Sequence, residues 1–345
     1  MTVRFGLLGA GRIGKVHAKA IGSNPKAKLA AVADPMADAA NAIATQYGAE
    51  VRTIEAIESA ADIDAVVICT PTDTHADLIE RFARAGKAIF CEKPVDLDVE
   101  RVKACLRVVD ETGATLMVGF NRRFDPHFQA VKQAIEEGQV GAVEMVTITS
   151  RDPGAPGVDY IKRSGGIFRD MTIHDFDIAR FMLGEEIETV TAQGSVLVDP
   201  AIGAAGDYDS VSVMLSTASG KHATISNSRR ATYGYDQRVE VHGSKGAVAI
   251  ENQRPVSIEV ANASGYTRPP LHDFFMTRYT EAYAREISSF IDFVESKSPA
   301  SPSGTDGLIA LALADAALKS VKEGRAVKVS EITGVMADKS VFQGR

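Results

Sequence analysis

Lys93 sits in Glu92-Lys93-Pro94, directly after an apolar run at 88–91 that reads as a buried strand. At the carboxyl edge of a parallel sheet, beside a dinucleotide, an ammonium can hydrogen-bond a reacting hydroxyl and stabilise alkoxide character as it develops. Asp170 and His174 stand four apart in Gly165-Gly166-Ile167-Phe168-Arg169-Asp170-Met171-Thr172-Ile173-His174-Asp175-Phe176-Asp177. On a helix that spacing puts carboxylate and imidazole on one face, with Asp177 a turn further and Ile173, Phe176 and Leu183 toward a core. Such an imidazole can take the proton of an alcohol as hydride leaves, while the carboxylate orients it. Structural roles fit the same residues: Lys93 in an ion pair, Asp170 complementing a helix dipole, His174 half-buried and hydrogen-bonded. A metal held by His174, Asp175 and Asp177 would want further histidines or cysteines nearby, and there are none in the sequence around them, so no metal is expected. Neither a G-x-S-x-G elbow nor a Walker loop is present to support acyl or phosphoryl transfer.

Gly9-Ala10-Gly11-Arg12-Ile13-Gly14 is a G-x-G-x-x-G motif between a strand-like run at 3–8 and a helical one at 13–21. The first glycine permits a tight turn, the second lets backbone approach a pyrophosphate, and the third allows close helix–strand packing. Asp34 ends the next strand-like run, where its carboxylate can accept from both ribose hydroxyls and repel a 2′-phosphate, favouring NAD over NADP. Thr70-Pro71-Thr72 closes a third strand at the same edge with His75 just beyond, so Thr70, Pro71 and His75 join Glu92 and Lys93 as candidate cofactor contacts. An ordinary strand-ending turn would look similar.

The elements that must position these groups follow from patterning. Runs at 3–8, 28–33, 65–69, 88–91 and 115–119 alternate with helical stretches at 13–21, 37–47, 74–85 and 99–112, the pattern of a doubly wound parallel sheet. After Asn121 a helix at 126–137 precedes strand-like runs at 143–151, 189–198, 210–216, 222–228, 237–242, 247–251 and 257–260, and helices return at 279–295 and 307–322. The expected class is α/β: a Rossmann domain over 1–121, then an α+β domain over 122–335 with a large, mostly antiparallel open sheet. The helix at about 304–322 is expected to pack back on the first domain.

Composition narrows the partners. The 345 residues exceed one small module, and 45% hydrophobic with 24% charged residues is ordinary globular usage rather than disorder. The net charge of −7 disfavours nucleic acid. Cys69, Cys91 and Cys105 show no C-x-x-C spacing and fit a reducing compartment. The apolar stretch at 308–318 contains Asp315 and is too short to span a membrane, and the N-terminal run is too short for a signal peptide. A soluble cytoplasmic protein without a membrane partner is expected.

The glycine motif, Thr70-Pro71, Glu92-Lys93-Pro94, Gly119-Phe120-Asn121-Arg122-Arg123-Phe124 and Asp170 through His174, in that order, resemble the Gfo/Idh/MocA oxidoreductase family along essentially the whole chain. Tyr160-Ile161-Lys162-Arg163-Ser164-Gly165-Gly166-Ile167-Phe168-Arg169-Asp170 and Tyr233-Gly234-Tyr235-Asp236-Gln237-Arg238 are similar to its inositol-oxidising branch. The resemblance implies NAD-dependent oxidation of myo-inositol to the 2-keto product in inositol catabolism, by a homotetramer joined through the second domain's sheet. It assigns catalysis to Lys93, Asp170 and His174, with His174 as base. It also implies a polyol pocket that adds Asn121, Arg122, Asp152, Tyr233 and Tyr235 to those three. The polar Asn121, where some members carry an apolar residue, leaves the stereoisomer open. Another cyclitol or an aldose as substrate, or a regulatory NAD-binding protein without turnover, are the competing expectations.

Overall fold

The computed structural model describes residues 2–334. Contacts divide the chain into two units: the chain up to Asp125 with Thr280–Leu311, and Pro126–Tyr279 with the chain from Ala312.

In the first unit, β1 (Val3–Leu8), β2 (Ala27–Ala33), β3 (Glu50–Val51), β4 (Ala65–Ile68), β5 (Ala88–Glu92) and β6 (Leu116–Gly119) form a six-stranded sheet in the order β3-β2-β1-β4-β5-β6. Every pairing is parallel. Burial on both faces explains the unbroken apolar runs in β4 and β6. Helices at Arg12–Ser23, Ala37–Tyr47, His75–Arg84 and Val99–Thr112 supply the crossovers, as the periodicity predicts. The chain winds outward from β1 to β3 and returns to β4 on the other side of β1. The carboxyl ends of β1 and β4 therefore flank the point where strand order reverses, which is where open α/β sheets bind ligands.

The sequence reading places 122–335 in one domain, with the helix at about 304–322 packing back on the first, and residues 304–311 of that helix do lie in the first unit; residues 1 and 335 of its ranges lie outside the described residues. The structure instead places Thr280–Leu311 in the first unit. The cause is an apolar helix face at Thr280–Ser296, where Phe290 packs against Phe5 and Phe90 and Ile287 and Ile291 are fully buried. The division falls inside the helix Gly304–Glu323.

In the second unit, β7 (Val143–Arg151), β8 (Ile187–Ser195), β9 (Ser210–Thr217), β10 (His222–Ser228), β11 (Asp236–Gly243) and β12 (Gly246–Ile250) form a sheet ordered β12-β11-β7-β10-β9-β8. A separate two-stranded ribbon pairs β13 (Val260–Asn262) with β14 (Gly265–Thr267), and β15 (Val327–Lys328) extends the main sheet beyond β8. Pairings in the main sheet are antiparallel except β7 with β10, which run parallel. Strict alternation of buried and open positions in β9 gives the sheet one apolar and one polar face. The apolar face is covered by the helix Ile173–Leu183, whose Ile173, Phe176, Ile178 and Met182 are buried. The strand expected at 257–260 pairs only from Val260 onward. Two-residue β3 and β15 and the short helices Val158–Ser164 and Pro200–Ala204 carry too few positions for periodicity to find them.

Candidate active site

The turn after β1 has the geometry a dinucleotide requires. Gly9 adopts φ +98°, and a Cβ there would stand 2.6 Å from the Cys69 carbonyl oxygen at the end of β4. Gly11, by contrast, faces open space, with nothing within 4 Å of an added Cβ. A Cβ on Gly14 would run into the Gly9 carbonyl, so the third glycine serves packing. The helix Arg12–Ser23 begins at Gly11 with no side-chain cap and no acidic residue in its first turn. Its leading N–H groups and positive dipole end are thus left for a phosphate, with Arg12 and Ile13 in that turn. Asp34 crosses this loop: Oδ2 accepts from Ala10 N at 2.6 Å and Oδ1 from Met36 N at 2.7 Å. Those bonds fix the carboxylate's orientation just after β2.

The next loops of the same edge are tied together from behind. His75 is 2% exposed, with Nδ1 2.8 Å from the Pro94 carbonyl oxygen and Nε2 2.8 Å from that of Thr70. It joins the Thr70-Pro71 turn to the Glu92-Lys93-Pro94 turn, instead of presenting its ring to a ligand as the sequence reading expects. The Thr70 hydroxyl lies 2.6 Å from that of Thr74, whose own hydroxyl donates to Pro71 O at 2.7 Å. Glu92, also expected beside the cofactor, turns inward: Oε1 is 2.6 Å from Nε2 of His17, and the pair is buried between strand and helix. Lys93, next in the chain, is half-buried, and its peptide bond to Pro94 is cis. Asn121 and Arg122 are buried in the turn Asn121–Phe124 after β6. Beside them Arg123 pairs with Asp306 at 3.0 Å.

In the second unit the parallel strands β7 and β10 end side by side, with Asp152 N donating to Ser228 O at 2.9 Å. Asp152 therefore neighbours Arg229, the residue after β10. Asp170 lies on the π-helical turn Phe168–Thr172, a rare geometry frequent at functional sites, and His174 is the second residue of the α-helix Ile173–Leu183 that follows. Tyr160 donates its hydroxyl to Asp170 Oδ1 at 2.8 Å. The helix is pinned to the sheet by Asp175, fully buried, which accepts from Ser150 Oγ at 2.6 Å and from Asn227 Nδ2 at 2.7 Å. Thr172 adds a 2.6 Å bond to Asn227. These contacts fix the register of the half-buried His174 between them.

Tyr233 donates to Asp236 Oδ2 at 2.6 Å and accepts from Arg151 Nη1 at 3.0 Å, keeping its ring partly exposed near the end of β7. Tyr235, expected in the pocket, is buried edge-on against Phe274 and Tyr279 and serves packing. The sequence reading misses Asp175 as an anchor, His17 as the partner of Glu92, and Arg229. Their partners are distant in sequence, and only the spacing of Asp175 from His174 hints at a shared helix.

Among the described residues no cluster of His, Cys, Asp or Glu could hold a metal ion. Burial pushes the thiols of Cys69 and Cys91 well up and that of Cys105 up to about 12, so none is a ready nucleophile. A concavity of about 700 Å³ lies on the open face of the second sheet, lined by Thr147, Thr149, Gln193, Ser212, Met214 and Thr224 among others. It holds none of the groups named above.

Residues 3–120 match the family described as an oxidoreductase family with an NAD-binding Rossmann fold, and 128–249 match the GFO/IDH/MocA C-terminal domain. The chain is 76% identical over 330 residues to an inositol 2-dehydrogenase of Rhizobium meliloti, covering 96% of this chain and all of that one. It is 44% identical over 334 residues to a myo-inositol 2-dehydrogenase of Thermotoga maritima, covering 96% of this chain and all of that one. The crystal structure of a scyllo-inositol dehydrogenase from Lactobacillus casei with bound NAD(H) and scyllo-inositol superposes with a TM-score of 0.89 at 30% identity, covering 96% of this chain and all of that one.

Proposed function

We propose, from the premise that this chain belongs to the Gfo/Idh/MocA oxidoreductase family, that it oxidises myo-inositol to 2-keto-myo-inositol with NAD. The observation that carries this reading is the 76% identity to an inositol 2-dehydrogenase along its full length. NAD+ supplies the hydride acceptor. Gly9, Gly11 and the helix start at Arg12-Ile13 hold its pyrophosphate, and Asp34 accepts from its ribose hydroxyls. A ring nitrogen of His174 takes the proton of the reacting hydroxyl, and Asp170 orients that imidazole and supports its positive charge. The Lys93 ammonium donates to the same oxygen and lowers the energy of its alkoxide form. Arg122, Asn121, Asp152 and Tyr233 supply partners for the remaining hydroxyls, since a polyol buried without them would leave polar groups unsatisfied.

Initial rates of NADH formation with myo-inositol, scyllo-inositol, D-chiro-inositol and glucose, repeated with NADP+, test this. The expected result is a highest kcat/KM for myo-inositol with NAD+. A preference for glucose overturns the substrate, and tight NAD+ binding with no turnover overturns the enzyme.

The protein acts as a homotetramer through the polar face of the second sheet, where Met214 is 48% and Met145 38% exposed. Light scattering after gel filtration should give four copies, reduced by Met214→Glu. No helix among the described residues is long and apolar enough to cross a membrane. With Cys69, Cys91 and Cys105 all free and buried, we place it in the cytoplasm.

A further inference from the structure

Arg229 is a large charged group with no role in the reaction as described. It is 1% exposed, directly after β10. Its Nη1 and Nη2 each lie 3.4 Å from Oδ2 of Asp170, the oxygen opposite the one bonded to Tyr160. The same Nη2 is 4.0 Å from Oδ2 of Asp207. Asp207 is itself seated: its Oδ1 accepts from Ile167 N at 3.0 Å, and the adjoining Gly166, at φ +84°, leaves room that a Cβ would close to 2.6 Å from that oxygen. Arg229 Nε and Asp207 Oδ2 are buried without a hydrogen-bond partner among the described residues.

A guanidinium removed from water recovers its hydration when it forms fork-on-fork pairs that use all its donors. Arg229 does not. It reaches one oxygen of Asp170 end-on and leaves Nε unused, so the contact recovers only part of what burying the guanidinium costs. What the arrangement does secure is the orientation of Asp170. One carboxylate oxygen is held by a phenol from the helix Val158–Ser164 and the other by a buried cation from the sheet. Asp207 adds a second negative charge near the same cation.

We propose that Arg229 is a positioning residue for the reaction, fixing the Asp170 carboxylate through Oδ2. This rests on the reading above that Asp170 orients the His174 imidazole and supports its positive charge. Fixing an orienting group matters most where charge develops, so the effect falls on kcat more than on KM.

The test is a double-mutant cycle of Arg229→Met and Asp170→Asn, with NADH formation measured on whichever polyol or sugar of the panel the wild type turns over fastest, alongside NAD+ affinity and melting temperature. Arg229→Met is expected to lower kcat by about 30-fold, with NAD+ affinity within about twofold of wild type. Arg229→Lys keeps the charge but cannot offer two N–H groups in that plane, and is expected to lose about tenfold. In the Asp170→Asn background, Arg229→Met should cost less than about threefold, because the group it positions is already disabled.

Equal losses from Arg229→Met in both backgrounds, or a folded Arg229→Met with kcat within about threefold of wild type, overturn the proposal. If Arg229→Met does not fold, Arg229→Lys takes its place in the cycle under the same criteria. A wild type that makes NADH from a sugar but not from any inositol overturns the substrate reading and leaves the cycle to decide on Arg229. A wild type that turns over nothing in the panel overturns both.

Discussion

Nε2 of His17 lies 2.6 Å from Oε1 of Glu92, the residue beside Lys93. The imidazole is fully buried between the rings of Phe90, at 4.9 Å between centroids, and Tyr283, at 5.4 Å. The strand end that presents Lys93 is thus held from within by a polar contact that no solvent can replace. His17→Phe keeps the volume and leaves a buried carboxylate oxygen unmatched, so it should destabilise the protein by about 1–3 kcal/mol. Urea unfolding would register this as a lower midpoint with unchanged slope.

Glu286 offers a test in pH. It is fully buried, and neither carboxylate oxygen has a hydrogen-bond partner among the described residues. Burial raises its pKa well above the ordinary 4.5, and the negative charge of Glu92 adds to the rise. Above the unfolded value the native state holds a proton that the unfolded chain has released, so stability falls as pH climbs toward the folded pKa. Glu286→Gln removes that dependence. Melting curves should show the variant gaining on wild type as pH rises above the ordinary carboxylate range and matching it below that range; a gain independent of pH would show that Glu286 does not titrate this way.

Asp34, the proposed acceptor for the ribose diol, is expected to set cofactor choice. Asp34→Ala loses the acceptor for the ribose diol and the repulsion toward a 2′-phosphate, and also frees Ala10 N and Met36 N. We expect kcat/KM for NAD+ to drop by about tenfold or more, the worth of charge-assisted hydrogen bonds at ~1.5–3 kcal/mol, with the NAD+/NADP+ ratio falling at least as far. Parallel assays with both cofactors measure it.

Lys93→Ala and His174→Ala should each lower turnover by about 10²–10⁴-fold, the usual reach of proton transfer and oxyanion stabilisation. Nucleotide affinity, followed by NADH fluorescence, should stay near wild type in both. Unaltered turnover in either variant removes that residue from the mechanism.

Asp175→Asn replaces a charged acceptor that serves Ser150 and Asn227. Its amide nitrogen would confront a donor in the interior, costing about 1.5–3 kcal/mol. Calorimetry should show the lower melting temperature.

The parallel sheet and its glycine loop are legible in the sequence because their information is local: apolar runs bounded by turns, three glycines at fixed offsets, and a carboxylate at the end of the next strand. Gly9, Gly11, Gly14 and Asp34 accordingly take the conformations that the motif predicts. The second unit is legible as alternating strands, but the parallel pairing of β7 with β10 is not, since strand order depends on how a chain crosses a sheet. His75, Glu92 and Tyr235 read as ligand contacts because polar and aromatic residues beside a motif carry no mark of direction. Their bonds to carbonyl oxygens, to His17 and to neighbouring rings show that they support the site from within. Arg229 directly follows β10, and its sequence neighbours carry no mark of its burial; the carboxylates it faces come from far apart in the chain, Asp170 between β7 and β8 and Asp207 between β8 and β9.

The crossover from β7 to β8 has an evolutionary corollary. Between Arg151 and Ile187 the chain must leap past two strands before the meander returns β10 to the flank of β7, and a leap of that kind has length to spare. Asp152, Tyr160, Asp170 and His174 all lie on it. Natural selection, or a designer, can thus alter four of the proposed site residues at once by editing one continuous cassette, while the ladder beneath keeps every rung.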